Sequence, residues 1–338
     1  MARRPGRASE DGVVILVCGG LADRVTELVC ARLDDCGYEY RLLDLGSYPT
    51  GFEIHCRWDD PATPVTGYLA GPDWRLELGE ISGVYVRLLG LEGRRLPESV
   101  PAPATASVIH ELDLGLLALF EDLPCPVVNR LRGSYSNNSK VLQALLVRRS
   151  GLLTPPTLVT NDPDEASRFL DELGEEGAIY KSLSGVRSIV RRLEPEQRAR
   201  LPLLRHGPVQ LQAYVPGDDV RVHVVGDDLH ATRVRSKATD YRYARRQGHQ
   251  VEMEPAELPE EVAEACRWLA RELGLLLAGV DLRETPSGEY YCFEVNPSPG
   301  FLYYERGSGQ PISSSLANLL HRGTAAPADQ PGRSRPSA

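Results

Sequence analysis

A strand that runs into two prolines near the C-terminal end constrains the fold most strongly. The run Tyr290–Asn296 is rich in aromatic and β-branched residues, a composition that favours a β-strand. Pro297 and Pro299 have no backbone N–H to give to a sheet, so the strand must end at Asn296. Because side chains alternate along a strand, Glu294 and Asn296 are predicted to share one face at its carboxyl end.

An apolar run before this strand predicts a β-hairpin. It spans residues 275–282 and is followed by a Thr-Pro-Ser-Gly segment typical of a tight loop. If Glu284 and Glu289 close the hairpin, Asp281 lies opposite Cys292. A shift of one residue would turn Asp281 to the other face of the sheet, so the site depends on this register.

With that register, two carboxylates and one amide oxygen share a face. Asp281, Glu294 and Asn296 then form a ligand set that suits a hard cation such as Mg²⁺. An acidic hairpin with a proline-rich turn is the structural alternative. We predict a metal site at these three residues.

These residues also carry a family resemblance. Asp281, followed by the motif of Glu294–Gly300, resembles the metal-binding end of an ATP-grasp ligase of the RimK-like group. In that family the Asp, Glu and Asn hold the Mg²⁺ ions that bridge the ATP phosphates. The resemblance implies ATP and Mg²⁺ as cofactors, with two magnesium ions expected and Mn²⁺ as an alternative.

Composition and charge narrow the class of protein. The chain has 338 residues, 42% of them apolar and 25% charged, which is ordinary for a globular protein. A net charge of −9 gives no general basis for binding nucleic acid or an anionic membrane. No apolar run approaches the ~20 residues that a membrane helix needs. The seven scattered cysteines contain no Cys-x-x-Cys pair. We therefore expect a cytoplasmic protein without a nucleic-acid or membrane partner, and homo-oligomerisation is left open.

The first third of the chain predicts an α/β unit. Val13–Val17 is typical of a buried strand, an amphipathic helix follows, and Tyr40–Leu45 predicts a second, parallel strand. The turn at Gly19 lacks the Gly-x-Gly-x-x-Gly pattern, which favours a simple tight turn over a dinucleotide site. Val84–Arg87 resembles part of the N-terminal domain of peptide-modifying ATP-grasp enzymes, the graspetide maturases; a surface charge is the alternative for Arg87.

A short strand that ends in a lysine predicts a phosphate contact. Ala178–Lys181 leads into a loop of small residues that includes Ser184, where backbone N–H groups can approach phosphate and Lys181 supplies charge. A solvated lysine is the alternative. In the family the equivalent loop is a lid over ATP. The helix that begins at Lys140 resembles the family's lysine-bearing helix.

The strand Val209–Val215 resembles the family's adenine hinge. There Gln212 and Tyr214 are expected to bind the base, chiefly through the backbone. Ala213 stands where an acidic residue is common, so one side-chain contact to adenine is missing or is supplied elsewhere. Asp219 matches a family position that contacts ribose or nucleotide.

A hairpin around residues 226–228 carries several cationic side chains. We predict a cationic sheet face that binds ATP phosphates, an acyl phosphate or a substrate carboxylate. Arg221 and Arg235 match family arginines and are the predicted catalytic residues; Arg233 shares the face of Arg235, and a solvated face is the alternative. His223 is predicted to be a partly buried spectator. The segment that ends at Arg242 resembles the family's Asp-Phe-Arg, which places Arg242 near the nucleotide.

The predicted fold is α/β and of the ATP-grasp type. It has an N-terminal α/β pre-ATP-grasp domain, a central lid domain and a C-terminal α+β domain with an antiparallel sheet. The predicted boundaries are a disordered lead at 1–12, then 13–126, 127–208 and 209–321, and a disordered tail at 322–338.

The resemblance implies an ATP-dependent ligase. It would join a carboxylate to an amine or a hydroxyl through an acyl phosphate, on an amino acid or peptide substrate. The alternatives are a kinase of the same fold that phosphorylates a small-molecule hydroxyl, and a non-catalytic ATP-binding module.

Overall fold

The computed structural model describes residues 13–59, 65–88, 96, 100–135, 139–181, 191–236, 248 and 250–323. The strands are β1 (Val14–Gly19), β2 (Tyr40–Asp44), β3 (Glu53–Arg57), β4 (Thr66–Gly71), β5 (Trp74–Glu77), β6 (Ile81–Arg87), β7 (Val127–Val128), β8 (Thr157–Thr160), β9 (Ala178–Lys181), β10 (Arg191–Arg192), β11 (Val209–Ala213), β12 (Asp218–Val225), β13 (Asp228–Ser236), β14 (Val251–Pro255), β15 (Leu277–Glu284) and β16 (Tyr290–Asn296). The α-helices are α1 (Arg24–Cys36), α2 (Thr105–Glu121), α3 (Leu131–Ser134), α4 (Lys140–Arg149), α5 (Pro163–Leu173), α6 (Glu260–Glu272), α7 (Leu302–Ser308) and α8 (Ile312–Arg322).

The N-terminal part is built on a parallel sheet in the order β2-β1-β6-β7. β1 pairs in parallel with β2 across α1, which confirms the predicted parallel pair. Its side chains are buried throughout, as expected for a strand covered on both faces. β3, β4 and β5 form a separate antiparallel sheet.

The central part is a four-stranded sheet in the order β10-β9-β11-β8, which we call the lid sheet. β11 pairs antiparallel with both β8 and β9. Sheet membership therefore divides the chain differently from the predicted boundaries: β11 belongs to the lid sheet, although residue 209 was placed at the start of the C-terminal unit.

The C-terminal part is a five-stranded antiparallel sheet in the order β14-β13-β12-β15-β16. One face packs on α4 and α6 through a core that includes Val222, Val280 and Leu269. The other face packs at one end on α7 and α8, where Leu277, Phe301 and Leu316 join the core of the N-terminal sheet. The rest of that second face carries the polar residues of the candidate site, and we call it the polar face.

Several elements differ from the sequence prediction. β14 was not predicted because its Glu-Met-Glu-Pro sequence has weak β-propensity, and it forms as an edge strand on β13. α7 was not predicted because aromatic residues dominate its first turn. Among the described residues one helical span, Ala102–Glu121, is long and apolar enough to cross a membrane by length and composition alone, which is weak evidence. This span contrasts with the expectation that no apolar run approaches the length of a membrane helix.

Candidate functional site

The hairpin of β15 and β16 brings the predicted metal residues to the polar face. Asp281 lies directly opposite Glu294, and Gly279 lies opposite Asn296. Strand alternation then places Asp281, Glu294 and Asn296 on one face, as predicted. Asn296 is oriented locally, because its side-chain oxygen accepts a hydrogen bond of 2.9 Å from the backbone N–H of Ser298.

The predicted register of this hairpin is wrong, and a β-bulge compensates for the error. Glu284 pairs with Tyr290, and Leu282 pairs with Cys292. The register then shifts between Asp281 and Leu282, which leaves Phe293 as an additional residue in β16. This extra residue turns Asp281 to the face of Glu294.

A buried arginine lies beside the metal residues. Arg221 on β12 lies level with Asp281, and its Nη1 donates to Asp281 Oδ1 at 2.5 Å. Arg221 is only 5% exposed. A Cβ atom at Gly279 would lie 2.1 Å from Arg221 Nη2, so glycine at this position leaves room for the guanidinium. Of the two carboxylates among the predicted metal residues, Asp281 is therefore paired with a buried cation.

His223 lies next to Arg221 on the same face and is completely buried rather than partly buried as predicted. Within the part of the chain that the structure describes, neither ring nitrogen has a hydrogen-bond partner, and the Tyr304 ring packs edge-on with centroids 5.0 Å apart. Burial lowers the pKa of His223 well below its ordinary value, and the charges of Arg221 and His230 lower it further. The imidazole is therefore neutral and serves packing, which agrees with a spectator role.

The prediction of a single cationic face is wrong. Arg221 lies opposite Thr232, whereas Arg233 lies opposite Val220. Arg233 and Arg235 consequently point to the face opposite the metal residues. Arg235, a predicted catalytic residue, pairs there with Asp218 at 3.2 Å and with Glu254 at 2.7 Å. Alternation shows which residues of one strand share a face. It does not show which residues of two neighbouring strands lie opposite each other.

Arg283 is a component of the polar face that the sequence analysis missed. Its Nε and Nη2 atoms donate to Asp219 Oδ1 at 3.0 and 2.6 Å, and its Nη1 atom donates to the backbone oxygen of Val215 at 2.9 Å. Arg283 thus fixes the predicted ribose-contacting residue Asp219. The signal was available, because Arg283 follows Asp281 at the spacing of two that keeps both on one face of a strand.

Lys140 begins α4 beside Glu294. Burial lowers the pKa of Lys140, and the charge of Glu294 opposes that shift. One turn later Gln143 completes the edge of β16: Gln143 Nε2 donates to Val295 O at 2.7 Å, and Val295 N donates to Gln143 Oε1 at 3.1 Å. Gln143 was missed, although a polar residue four positions before Val147 on the buried face of α4 was a usable signal.

Asn129 joins the N-terminal sheet to both strands of the metal hairpin. Its Nδ2 donates to the backbone oxygens of Leu277 and Pro297 at 2.6 and 2.5 Å. Its Oδ1 accepts from the backbone N–H groups of Leu276 and Leu277 at 2.8 and 3.1 Å. The side chain thus makes four hydrogen bonds in a buried position, and we call this arrangement the Asn129 clamp.

Arg87 is a buried residue of the domain junction, which excludes the surface-charge alternative. It is 6% exposed, and its Nε lies 2.7 Å from Asp23 Oδ2. Its Nη1 donates to Ser298 Oγ and to the backbone oxygen of Pro299, both at 3.4 Å. The carboxyl end of the parallel sheet therefore meets the proline-rich exit of β16.

The lid sheet presents its predicted nucleotide residues on one face. Lys181 lies opposite Gln210 at the end of β9 and is buried. Gln212 Nε2 donates to Thr157 Oγ1 at 2.9 Å. Tyr214 follows β11 and lies between the lid sheet and the polar face. Ser184 and Arg242, also predicted to bind nucleotide, lie outside the described residues.

The residue types of this arrangement suit a metal ion and an anion. Within the described ranges no group of three or more His, Cys, Asp and Glu side chains is placed to hold a metal. The candidate set is instead two carboxylates and an amide oxygen, on one face, with Lys140 and Arg221 beside them. Oxygen ligands suit Mg²⁺, and the cations suit phosphate or carboxylate oxygens.

Comparisons with known proteins identify similar sequences and folds. The model of the RimK-like ATP-grasp domain matches residues 136–320. A probable alpha-L-glutamate ligase of Shewanella denitrificans is 26% identical over 242 residues, which cover 69% of this chain and 81% of the relative. The macrocyclase MdnC of Microcystis aeruginosa, bound with precursor peptide MdnA, superposes with a TM-score of 0.77 at 23% identity, over 91% of this chain and 99% of the other. The ATP-grasp ligase PsnB, complexed with a variant of its minimal precursor, Mg and ADP, superposes with a TM-score of 0.71 at 26% identity, over 90% and 97%.

Proposed function

The chain belongs to the RimK-like ATP-grasp family and is an ATP-dependent ligase acting on an amino acid or peptide, and from this premise we propose that it modifies a peptide by joining a carboxylate to an amine or hydroxyl. The observation that carries the proposed site is the pairing of Asp281 with Glu294 on the polar face, beside Arg221 and Lys140. The likeness to the peptide-bound ligase PsnB, which includes the N-terminal part, supports a peptide rather than a free amino acid as substrate.

Asp281, Glu294 and Asn296 would hold Mg²⁺. The residues fit the ion, because Glu294 takes part in no ion pair among the described residues and Asn296 is already oriented by Ser298. Bound there, Mg²⁺ would neutralise charge on the ATP phosphates. We propose two ions, with Mn²⁺ as a substitute.

The nucleotide would lie between the lid sheet and the polar face. Lys181 and Lys140 are positioned to attract phosphate oxygens. Ser184 and Arg242, which lie outside the described residues, are assigned to the nucleotide from the family motifs alone. The backbone of Gln212 and Tyr214 would bind adenine, and Asp219, held by Arg283, would contact the ribose.

Arg221 is the side chain we assign to catalysis. It is buried, permanently charged and preorganised by Asp281, so it can stabilise negative charge that develops as the substrate carboxylate attacks the terminal phosphate of ATP. Arg235 receives no catalytic role, because its strand position directs it to the other face.

The test is turnover with ATP, Mg²⁺ and short acidic peptides encoded beside the gene. A reducing buffer keeps the seven free cysteines as thiols during the assay. The expected result is release of ADP and free phosphate, with loss of one water from the peptide for each bond formed. Addition of an amino acid to the peptide would indicate glutamate-ligase chemistry instead. Phosphate retained on the product would indicate a kinase and refute the proposal.

A further inference from the structure

Two buried amide oxygens in the lid sheet have no hydrogen-bond partner among the residues that the structure describes. They are the Oε1 atoms of Gln210 and Gln212, whose residues are 5% and 4% exposed. Buried polar groups in folded proteins are almost always paired, since burial removes their water without replacement. Two orphaned acceptors two residues apart on one strand therefore point to a ligand that donates to them.

The orientation of one of these amides is fixed by a chain of donors. The hydroxyl of Thr157 donates to the backbone oxygen of Pro155 at 2.8 Å, so it can only accept from Gln212. Gln212 Nε2 is the donor in that 2.9 Å contact, and Gln212 Oε1 is left as an acceptor. The amide of Gln210 makes no such contact, so it is available to a ligand.

Both acceptors lie on the face of the lid sheet that carries Lys181. Gln210 is level with Lys181, and Gln212 is level with Ile179, whereas Leu211 points to the other side. The phosphate-binding lysine and the two amides thus form one buried polar strip.

This strip faces the polar face of the C-terminal sheet. Arg192 is level with Ile179 and so shares the face of the strip; its guanidinium lies 4.5 Å from the centre of the Tyr214 ring. Arg283 on the polar face lies 5.9 Å from the centre of the same ring. Tyr214 therefore contacts both faces, and the strip lies on the side of the lid sheet that is turned to the cleft between them.

We propose that Gln210 selects the nucleobase, a role that rests on the proposed function of this cleft as the ATP site. Its Oε1 accepts a hydrogen bond from the exocyclic amino group at C6 of adenine. A purine without an amino group at C6 cannot make this hydrogen bond and should bind more weakly.

The experiment compares full-length wild-type protein with Gln210→Leu, Gln210→Glu and the control Gln197→Leu. Gln197→Leu is the same substitution at another glutamine of this part of the chain. Gln197 lies in the 3-10 helix Pro195–His206 and not in the strip. Calorimetry with Mg²⁺ measures the Kd of ATP and of purine riboside triphosphate, which lacks only the 6-amino group. Thermal unfolding confirms that each variant is folded.

Wild-type protein and Gln197→Leu are expected to bind ATP at least about tenfold more tightly than purine riboside triphosphate, as one buried hydrogen bond requires. Gln210→Leu should bring the two Kd values together by weakening ATP alone, and Gln210→Glu should keep the preference because a carboxylate still accepts. An unchanged preference in Gln210→Leu, or an equal loss for both nucleotides, overturns base selection and leaves the ATP site standing. Failure of wild-type protein to bind either nucleotide refutes the ATP site itself, and base selection with it.

Discussion

Arg221 and Asp281 are level on neighbouring strands and form a 2.5 Å ion pair next to the carboxylate of Glu294. One carboxylate of the candidate metal site is thus neutralised by a fixed cation, while the other takes part in no ion pair among the described residues. The two carboxylates should therefore differ in what they contribute to metal binding.

Glu294→Gln should abolish most Mg²⁺-dependent turnover. The change removes the unpaired negative charge while it keeps the size of the side chain, and we expect a loss of at least about 100-fold in kcat/KM. Steady-state phosphate release across a range of Mg²⁺ concentrations measures it. Glu289→Gln, in the exposed turn of the same hairpin, should keep wild-type activity. Equal activity in the two variants would remove Glu294 from the metal site.

Gly279→Ala should displace the guanidinium of Arg221. The added Cβ would lie 2.1 Å from Arg221 Nη2 and 2.7 Å from Pro299 Cβ, distances that real contacts do not allow. We expect kcat to fall about tenfold or more, since the catalytic cation leaves its preorganised position. Gly115→Ala is the matched control, because a Cβ there would meet nothing within 4 Å. Wild-type kcat in Gly279→Ala would argue against a role for Arg221.

Gln143→Leu should destabilise the edge of β16. The N–H and C=O groups of Val295 would remain buried without partners, which should lower the free energy of unfolding by about 2 to 4 kcal/mol. Urea denaturation measures the change. Leu145→Gln alters an exposed position of the same helix, and we expect a change within about 0.5 kcal/mol. Similar stability in both variants would mean that Gln143 is dispensable for the edge.

Stability should fall as pH drops below the ordinary histidine range. Burial lowers the pKa of His223 well below 6.5 and also lowers that of His230. The unfolded chain then binds protons that the folded chain rejects, so folding is favoured above pH 6.5 and loses stability as pH falls below it. Thermal unfolding between pH 5 and 8 should show a weaker pH dependence in His223→Leu than in wild type. An identical pH dependence would show that His223 does not contribute.

The sequence predicted which side chains of the hairpin share a face but not the register of its strands. The composition of residues 290–296 predicts a strand that ends at Asn296, and alternation alone places Glu294 and Asn296 on the same face. The bulge at Phe293 has no compositional signal, because any residue can occupy it. The predicted closing pair of the hairpin was wrong by one residue. Asp281 lies on the predicted face only because the bulge offsets this error.

The residues that hold the site together were harder to predict than those within it. Gln143 and Asn129 bind backbone groups, and backbone groups have no sequence signature. The face of Arg235 depended on how β13 aligns with β12, which is a tertiary property. Arg283, by contrast, could have been found from its spacing to Asp281.

The Asn129 clamp determines which part of the molecule can yield during a reaction cycle. The four hydrogen bonds of this amide fasten the N-terminal sheet to the start of β15 and to Pro297, which directly follows β16. We therefore expect the N-terminal sheet and the hairpin to move as one rigid unit. A movement that opens the cleft to admit ATP or release ADP is then expected in the lid sheet.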